Sequence, residues 1–202
     1  MIDPYIDPKT KILKNLLGIT TEKVLTQAEA DITYMRLLDS DAYFEKDELN
    51  YLAILEMHKY IFGDIYSWAG KTRTLNISKE EKVLGGASLV YTDHVEIERK
   101  ATEIISDMNS IDWSSLSLYE TAFKFGDLIA KLWLIHPFRE GNTRTVMRFA
   151  GIFAASKGFP LDAKLLKNNA SYVRDSLVLY NVPEKPEKNY LLKIVKDSIN
   201  NY

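Results

Sequence analysis

The 202-residue sequence predicts an all-α helical bundle carrying one small β-hairpin. Three observations lead there. Apolar residues recur at helical spacing through most of the chain. β-favouring residues gather in one stretch only, on either side of the Gly85-Gly86 pair. There is no cysteine to staple another arrangement, and a chain of this length buries about 70% of its unfolded surface without one.

The elements follow in order. Asp3-Pro4 and Asp7-Pro8 make residues 1–20 an arm, because a residue before proline avoids the helical region. Within it, Lys11 to Leu17 reads as one or two helical turns stopped by Gly18. Thr20 or Thr21 caps a helix whose apolar positions include Ile32, Met35 and Leu38. Asp47 to Phe62 is amphipathic, with Leu49, Leu52, Ile54, Leu55, His58 and Ile61 on one stripe, and Gly63 ends it. Residues 71–92 form the hairpin, with Thr72, Leu75 and Ile77 on one side and Leu89, Val90 and Tyr91 on the other. The charged run Lys79 to Lys82 is expected at its solvated tip. Helices follow at Val95 to Met108, Ser117 or Tyr119 to Ile135, and Arg144 to Lys157. One more spans residues 163–180, and a last one lies within residues 183–202. All of this fits in a single domain over residues 1–202.

Charge narrows the function. The 26 basic and 28 acidic residues sum to −2, which argues against direct nucleic-acid binding. No apolar run reaches the 18 or so residues of a membrane span, and Met1 to Lys14 lacks the apolar core of a signal peptide. The expectation is a cytoplasmic protein, or one delivered from the cytoplasm into a host cell. The lack of cysteine excludes thiolate chemistry, and three histidines argue against a histidine metal cage.

One segment carries chemistry: His136-Pro137-Phe138-Arg139-Glu140-Gly141-Asn142-Thr143-Arg144. It joins the two most apolar helices. Pro137 breaks the first, and Asn142 or Thr143 is suited to cap the second. The loop therefore meets a helix N-terminus, where free N–H groups and the dipole attract an anion. Gly141 allows the turn that points N–H groups inward. Arg144 sits in the first helical turn, where its charge opposes the dipole, a place for a cation that holds phosphate. His136 can take a proton near neutral pH, and Glu140 is an oxygen donor suited to Mg²⁺. Base, carboxylate, nest and arginine within nine residues are the parts of phosphoryl or nucleotidyl transfer.

These residues resemble the Fic-domain signature H-P-F-x-(D/E)-G-N-x-R. The segment Gly63-Asp64-Ile65-Tyr66-Ser67-Trp68-Ala69-Gly70, followed by Arg73-Thr74-Leu75-Asn76-Ile77, is similar to that family's run into its active-site flap. Leu13-Lys14-Asn15 and Glu29-Ala30-Asp31 extend the likeness, over roughly residues 5–180. The resemblance implies a protein adenylyltransferase that uses Mg²⁺ and ATP to join AMP to a Tyr, Thr or Ser hydroxyl of a target protein. It makes His136 the base, Glu140 the Mg²⁺ ligand, Gly141 and Asn142 the anion hole with Thr143 beside them, and Arg144 a phosphate ligand. Phe138 anchors the loop. Asn76, Ile77 and Leu84 of the flap dock the target segment by strand addition.

Two positions depart from the signature. Thr143 stands where glycine is commonest. Met147 stands where many members carry a second arginine for the terminal phosphate, and Arg148 comes one residue later, about 100° further round the helix. Phosphate, UMP or phosphocholine therefore stay open as alternative donated groups, as does a non-catalytic module that binds nucleotide or peptide. The self-inhibitory pattern (S/T)-x-x-x-E-(G/N) finds only Thr92 to Glu96, followed by Ile97, so regulation by a separate antitoxin-like inhibitor is expected, as for a toxin-like enzyme, or none of this kind.

The remaining candidates read as structural. His58 is expected as a satisfied core histidine, His94 as a helix-start residue, and Trp68, Trp113 and Trp133 as core. Asn168, Asn169 and Tyr172 are candidates to line an adenine pocket by analogy with the family's following helix.

Overall fold

The computed structural model describes residues 3–39, 44 and 49–200. The fold is helical with a two-stranded antiparallel flap, as expected. Its α-helices are α1 (Glu22–Asp39), α2 (Tyr51–Phe62), α3 (Ile97–Ser110), α4 (Leu118–Ile135), α5 (Asn142–Ser156), α6 (Ala163–Asn168), α7 (Ala170–Tyr180) and α8 (Asn189–Asn200). The flap strands are β1 (Ser78–Glu80) and β2 (Ser88–Val90).

Helix α4 is the axis of the molecule, packed against α3, α5, α7 and α8, while α2 bridges α1 and α5. Ser117 caps α4 through a reciprocal capping box with Glu120, satisfying two end groups at once. From there the helix buries a nearly continuous apolar face that includes Phe125, Ile129, Leu132 and Trp133. Gly126 lets α8 approach, since a Cβ there would lie 2.9 Å from Leu192 Cδ2. The aromatic core of Trp113, Phe125, Phe153 and Phe159 closes the end of the bundle remote from the α4–α5 loop.

Five expectations change. Lys11 to Leu17 is not helical. Ile6 and Leu13 pair in an isolated bridge, and Lys11 turns through φ 62°. The carboxylate of Asp7 takes the N–H groups of Lys9 and Thr10, a local bond that competes with helix formation. Helix α2 starts at Tyr51 with Asn50 as its cap, Asn50 Oδ1 accepting from Ala53 N at 3.1 Å. The expected start at Asp47 lies outside the described residues.

The flap strands are only three residues each, in register Ser78↔Val90, Lys79↔Leu89 and Glu80↔Ser88. The charged run is not a solvated tip. Glu81 is buried, and Lys79 turns toward the α4–α5 loop. The tip is instead a 3₁₀ turn at Lys82–Leu84, closed by Gly85 in the left-handed region.

Helix α5 begins at Asn142, two residues earlier than expected, with Gly141 at its N-cap. Residues 163–180 form two helices, because Asn169 donates its side-chain amide to the Leu165 carbonyl and leaves helical geometry (φ −115°, ψ 27°). No helix among the described residues is long and apolar enough to cross a membrane.

Candidate active site

The signature residues are built around one loop. Helix α4 ends at His136, which takes the left-handed conformation (φ 51°, ψ 59°) while its N–H still reaches the Trp133 carbonyl. Pro137 then prevents any continuation. Asn142 does not cap α5. Its side chain reaches back across the loop, accepting from Phe138 N and donating to Phe138 O, both at 2.8 Å. That two-bond clamp, with Phe138 fully buried, sets the loop on the core.

His58 props the loop from below. Gly70 N–H donates to its Nδ1 at 2.9 Å, so Nε2 carries the proton and donates to the Glu140 carbonyl at 3.0 Å. The imidazole stacks on Phe138 with ring centroids 3.7 Å apart. Burial holds its pKa down to about 3. This is the satisfied core histidine expected from the sequence, and it fixes a main-chain atom of the signature.

Arg73 is buried and straps the loop to the flap base. Its guanidinium donates to the carbonyls of His136 (2.8 Å), Leu75 (2.6 Å) and Thr92, and its own N–H donates to the Pro137 carbonyl at 2.8 Å. A buried charge is tolerable only when hydrogen-bonded this fully.

His136 itself is different. It is 3% exposed, and neither ring nitrogen has a hydrogen-bond partner. Tyr91 stacks on one face of its ring, and Trp133 meets it edge-on. Burial, then the charges of Lys79 and Arg73, push its pKa well below the usual histidine value. The ring is therefore neutral near pH 7 and able to accept a proton.

Glu140, Gly141 and Arg144 stand beside it. The Glu140 carboxylate accepts from Gly141 N at 2.9 Å and lies 3.4 Å from Lys79 Nζ on β1. Burial alone would raise the Glu140 pKa. Lys79, the Gly141 N–H and Arg144 outweigh it and hold the carboxylate below its ordinary value. In this structure the N–H of Gly141 thus faces the carboxylate of Glu140 rather than an open space. Gly141 has φ 81°, and a Cβ on it would meet the Phe62 ring.

Arg144 projects from the first turn of α5 over the Phe62 ring, 4.8 Å from its centroid. It bonds Glu29 and Thr33 of α1. Glu29 also accepts from the Tyr66 hydroxyl, so α1 is tied to the site through one carboxylate. Thr143 accepts from Trp133 Nε1 at 2.9 Å.

Over the α5 N-terminus lies a cavity of about 180 Å³, lined by residues 141–143 with His136, Glu140, Arg144, Lys79 and Arg174. A larger cavity of about 330 Å³, between α4 and α8, contains none of the signature residues. Three side chains around the smaller cavity have places the sequence did not indicate: Arg174, which it did not mark, and Lys79 and the buried Glu81, which it read as a solvated tip. Nothing local marks them, because 30 or more positions separate each from the loop it faces.

The flap candidates Asn76 and Ile77 precede β1, and Leu84 lies in the 3₁₀ turn. Asn76 accepts from His94 N at 2.8 Å and donates to Asp93, which places His94 at the entrance to α3. Ile77 and Leu84 are half-buried against the core. Tyr172 donates to the Tyr190 carbonyl, and Asn169 to the Leu165 carbonyl. Trp113 and Trp133 are core, and Trp68 packs on Tyr66.

The Fic/DOC family model matches residues 48–154 of this chain. Protein adenylyltransferase VbhT of Bartonella schoenbuchensis is 31% identical over 161 residues, which cover 79% of this chain and 32% of VbhT. The Sinorhizobium fredii protein named "probable protein adenylyltransferase y4lH" is 29% identical, over 82% of each chain. Among solved structures, the N-terminal Fic domain of Bep8 from Bartonella sp. 1-1C superposes with a TM-score of 0.80 at 18% identity, over 96% of this chain and 93% of that one. The Fic domain of a Bep effector protein from Bartonella quintana, solved with bound ADP, gives 0.81 at 20% identity over the same shares. With the signature loop, the flap and the family match in agreement over one fold, the chain belongs to the Fic/DOC family.

Proposed function

We propose that this domain is a protein adenylyltransferase that moves AMP from ATP to a hydroxyl of a target protein. One observation carries the reading. A buried imidazole with two unpartnered nitrogens lines the same cavity as the α5 N-terminus, Glu140 and Arg144. A structural histidine would be satisfied, as His58 is. The ADP in the Bartonella quintana structure and the names of the sequence relatives support the nucleotide and its transfer.

The step is a displacement at the α-phosphorus. A Tyr, Thr or Ser oxygen of the target attacks it, the bond to the bridging oxygen breaks, and pyrophosphate leaves. His136 takes the hydroxyl proton. Charge on the non-bridging oxygens is met by the positive end of the α5 dipole and by Arg144, which keeps N–H donors beyond those given to Glu29 and Thr33.

Glu140 would hold Mg²⁺. Among the described residues no group of three or more His, Cys, Asp or Glu side chains gathers to cage a metal. A single carboxylate suits an ion that completes its shell with water and substrate phosphates. Bound there, Mg²⁺ would neutralise triphosphate charge.

The target segment aligns along the flap beside Asn76, Ile77 and Leu84, adding a strand to the two-stranded sheet. Val90 on β2 is 71% exposed, leaving apolar surface for such a segment.

The test is incubation with ATP labelled at the α- or the γ-phosphate, against self and cell lysate, with His136→Ala as control. Label from the α-phosphate, absent in His136→Ala while nucleotide binding persists, is the expected result. Label from the γ-phosphate alone, or unchanged labelling in the variant, overturns the reading.

A further inference from the structure

The cavity over the α5 N-terminus has more positive charge than the signature supplies. Arg144 gives one N–H to Glu29 and one to Thr33, and its remaining donors are all that the signature supplies. Position 147 is a methionine and offers no charge. Yet the cavity is lined by a second guanidinium, Arg174, which arrives from α7.

Arg174 is held in a fork. Its two terminal nitrogens lie 2.8 and 2.9 Å from the two oxygens of Glu81. The side chain of Glu81 is 2% exposed and that of Arg174 is 39% exposed, so the carboxylate is sealed under the flap while the guanidinium faces the cavity. Glu81 also accepts from the Tyr91 hydroxyl at 3.2 Å. A guanidinium has five N–H donors, and a bidentate carboxylate uses only two of them.

The cavity volume of about 180 Å³ is small beside the roughly 300–1,000 Å³ of a typical ligand pocket. It suits a phosphate chain better than a whole nucleotide.

We propose that Arg174 is a phosphate ligand of the nucleotide, oriented by Glu81, and that it supplies from α7 the guanidinium that position 147 lacks. Lys79 completes the cationic wall from the flap side. The role rests on the nucleotide-transfer reading above. Orienting the guanidinium before binding lowers the entropy cost of fixing a long side chain on the ligand.

Calorimetric titration of the wild type, Arg174→Met, Arg174→Lys and the double variant Glu81→Gln/Arg174→Met, with Mg·ATP and separately with AMP, tests this. Arg174→Met is expected to weaken Mg·ATP roughly 10- to 100-fold, the weight of a charge-assisted contact, and AMP less than about 3-fold. Arg174→Lys recovers part of the loss. Arg174→Met also strands the buried Glu81, so thermal melting is recorded for each variant. The double variant is expected to recover the melting temperature without recovering ATP affinity.

Unchanged Mg·ATP affinity in Arg174→Met overturns the assignment. So does an equal loss for ATP and AMP, or recovery of ATP affinity in the double variant, since either marks a structural role. A wild type that neither binds Mg·ATP nor labels from the α-phosphate overturns the transfer reading and this one together. A wild type that does both, beside an Arg174→Met variant that binds ATP equally well, overturns this one alone.

Discussion

The ring of Tyr91 lies 3.7 Å from that of His136, centroid to centroid, with 22° between their planes. Tyr91 enters from the end of the flap, and His136 from the end of α4. The stack fixes the plane of an imidazole that no hydrogen bond orients. The usual device for orienting a catalytic histidine is a polar partner on its second nitrogen. Here an aromatic face does that work.

If the stack positions the base, Tyr91→Ala should lower kcat about 10- to 100-fold, with little change in the KM for ATP. Tyr91→Phe keeps the stack and loses only the bond to Glu81. It should stay within about 3-fold of wild type, because Glu81 keeps both contacts to Arg174 when the hydroxyl is lost. Steady-state kinetics of both variants decides; equal losses in the two would show that the hydroxyl, not the ring face, is what matters.

Gly141 is confined twice, by φ 81° and by the Phe62 ring. A Cβ there would lie 2.9 Å from Phe62 Cε1 and closer still to Cζ and Cε2. Phe62 is fully buried and cannot swing aside. Gly141→Ala should therefore cost about 2–4 kcal/mol, combining backbone strain with overpacking. Adding Phe62→Leu should return part of the packing cost and none of the strain. Denaturant unfolding of the single and double variants measures both parts.

His58 ties stability to pH. Its folded pKa of about 3 lies below the ordinary 6.5 because burial disfavours the charged form. Below pH 6.5 the unfolded chain binds a proton that the folded one does not, so stability falls as pH falls. It is fully present above 6.5 and is lost toward pH 3, at about 1.4 kcal/mol per pH unit for one such group. His136, pushed the same way, adds to the slope in the same direction. Unfolding free energies between pH 7 and pH 4 should show the decline. His58→Gln should lower stability at pH 7 and flatten the slope by one proton; an unchanged slope would contradict the neutral, buried imidazole.

Much of the fold was legible because its causes are local. Ser117 and Glu120 announce the start of α4, Pro137 its end, and the period of apolar residues its buried face. The loop from His136 to Arg144 was legible for the same reason, since proline, glycine and the following helix N-terminus act within a few residues of one another. Errors arose where a backbone or side-chain group chose a partner that periodicity cannot see. Lys14 and Leu16 gave their N–H groups to the carbonyls of Tyr5 and Ile65 instead of to a helix, and Asn169 bonded Leu165 and cut one helix into two. Asn142 bonded Phe138 instead of capping α5.

The sequence by itself determined the helical bundle, the flap and the chemical parts of one loop, because helix periodicity and turn chemistry are short-range and additive. Only the tertiary structure decided which charges face that loop. Lys79 and Glu81 read as solvated in a hydrophilic run, and Arg174 as one more charge on a helix. Folding turned Glu81 under the flap, where a buried carboxylate requires a partner, and that requirement brought Arg174 to the cavity. Pairings of this kind depend on distances between elements far apart in the chain, and no local pattern encodes them.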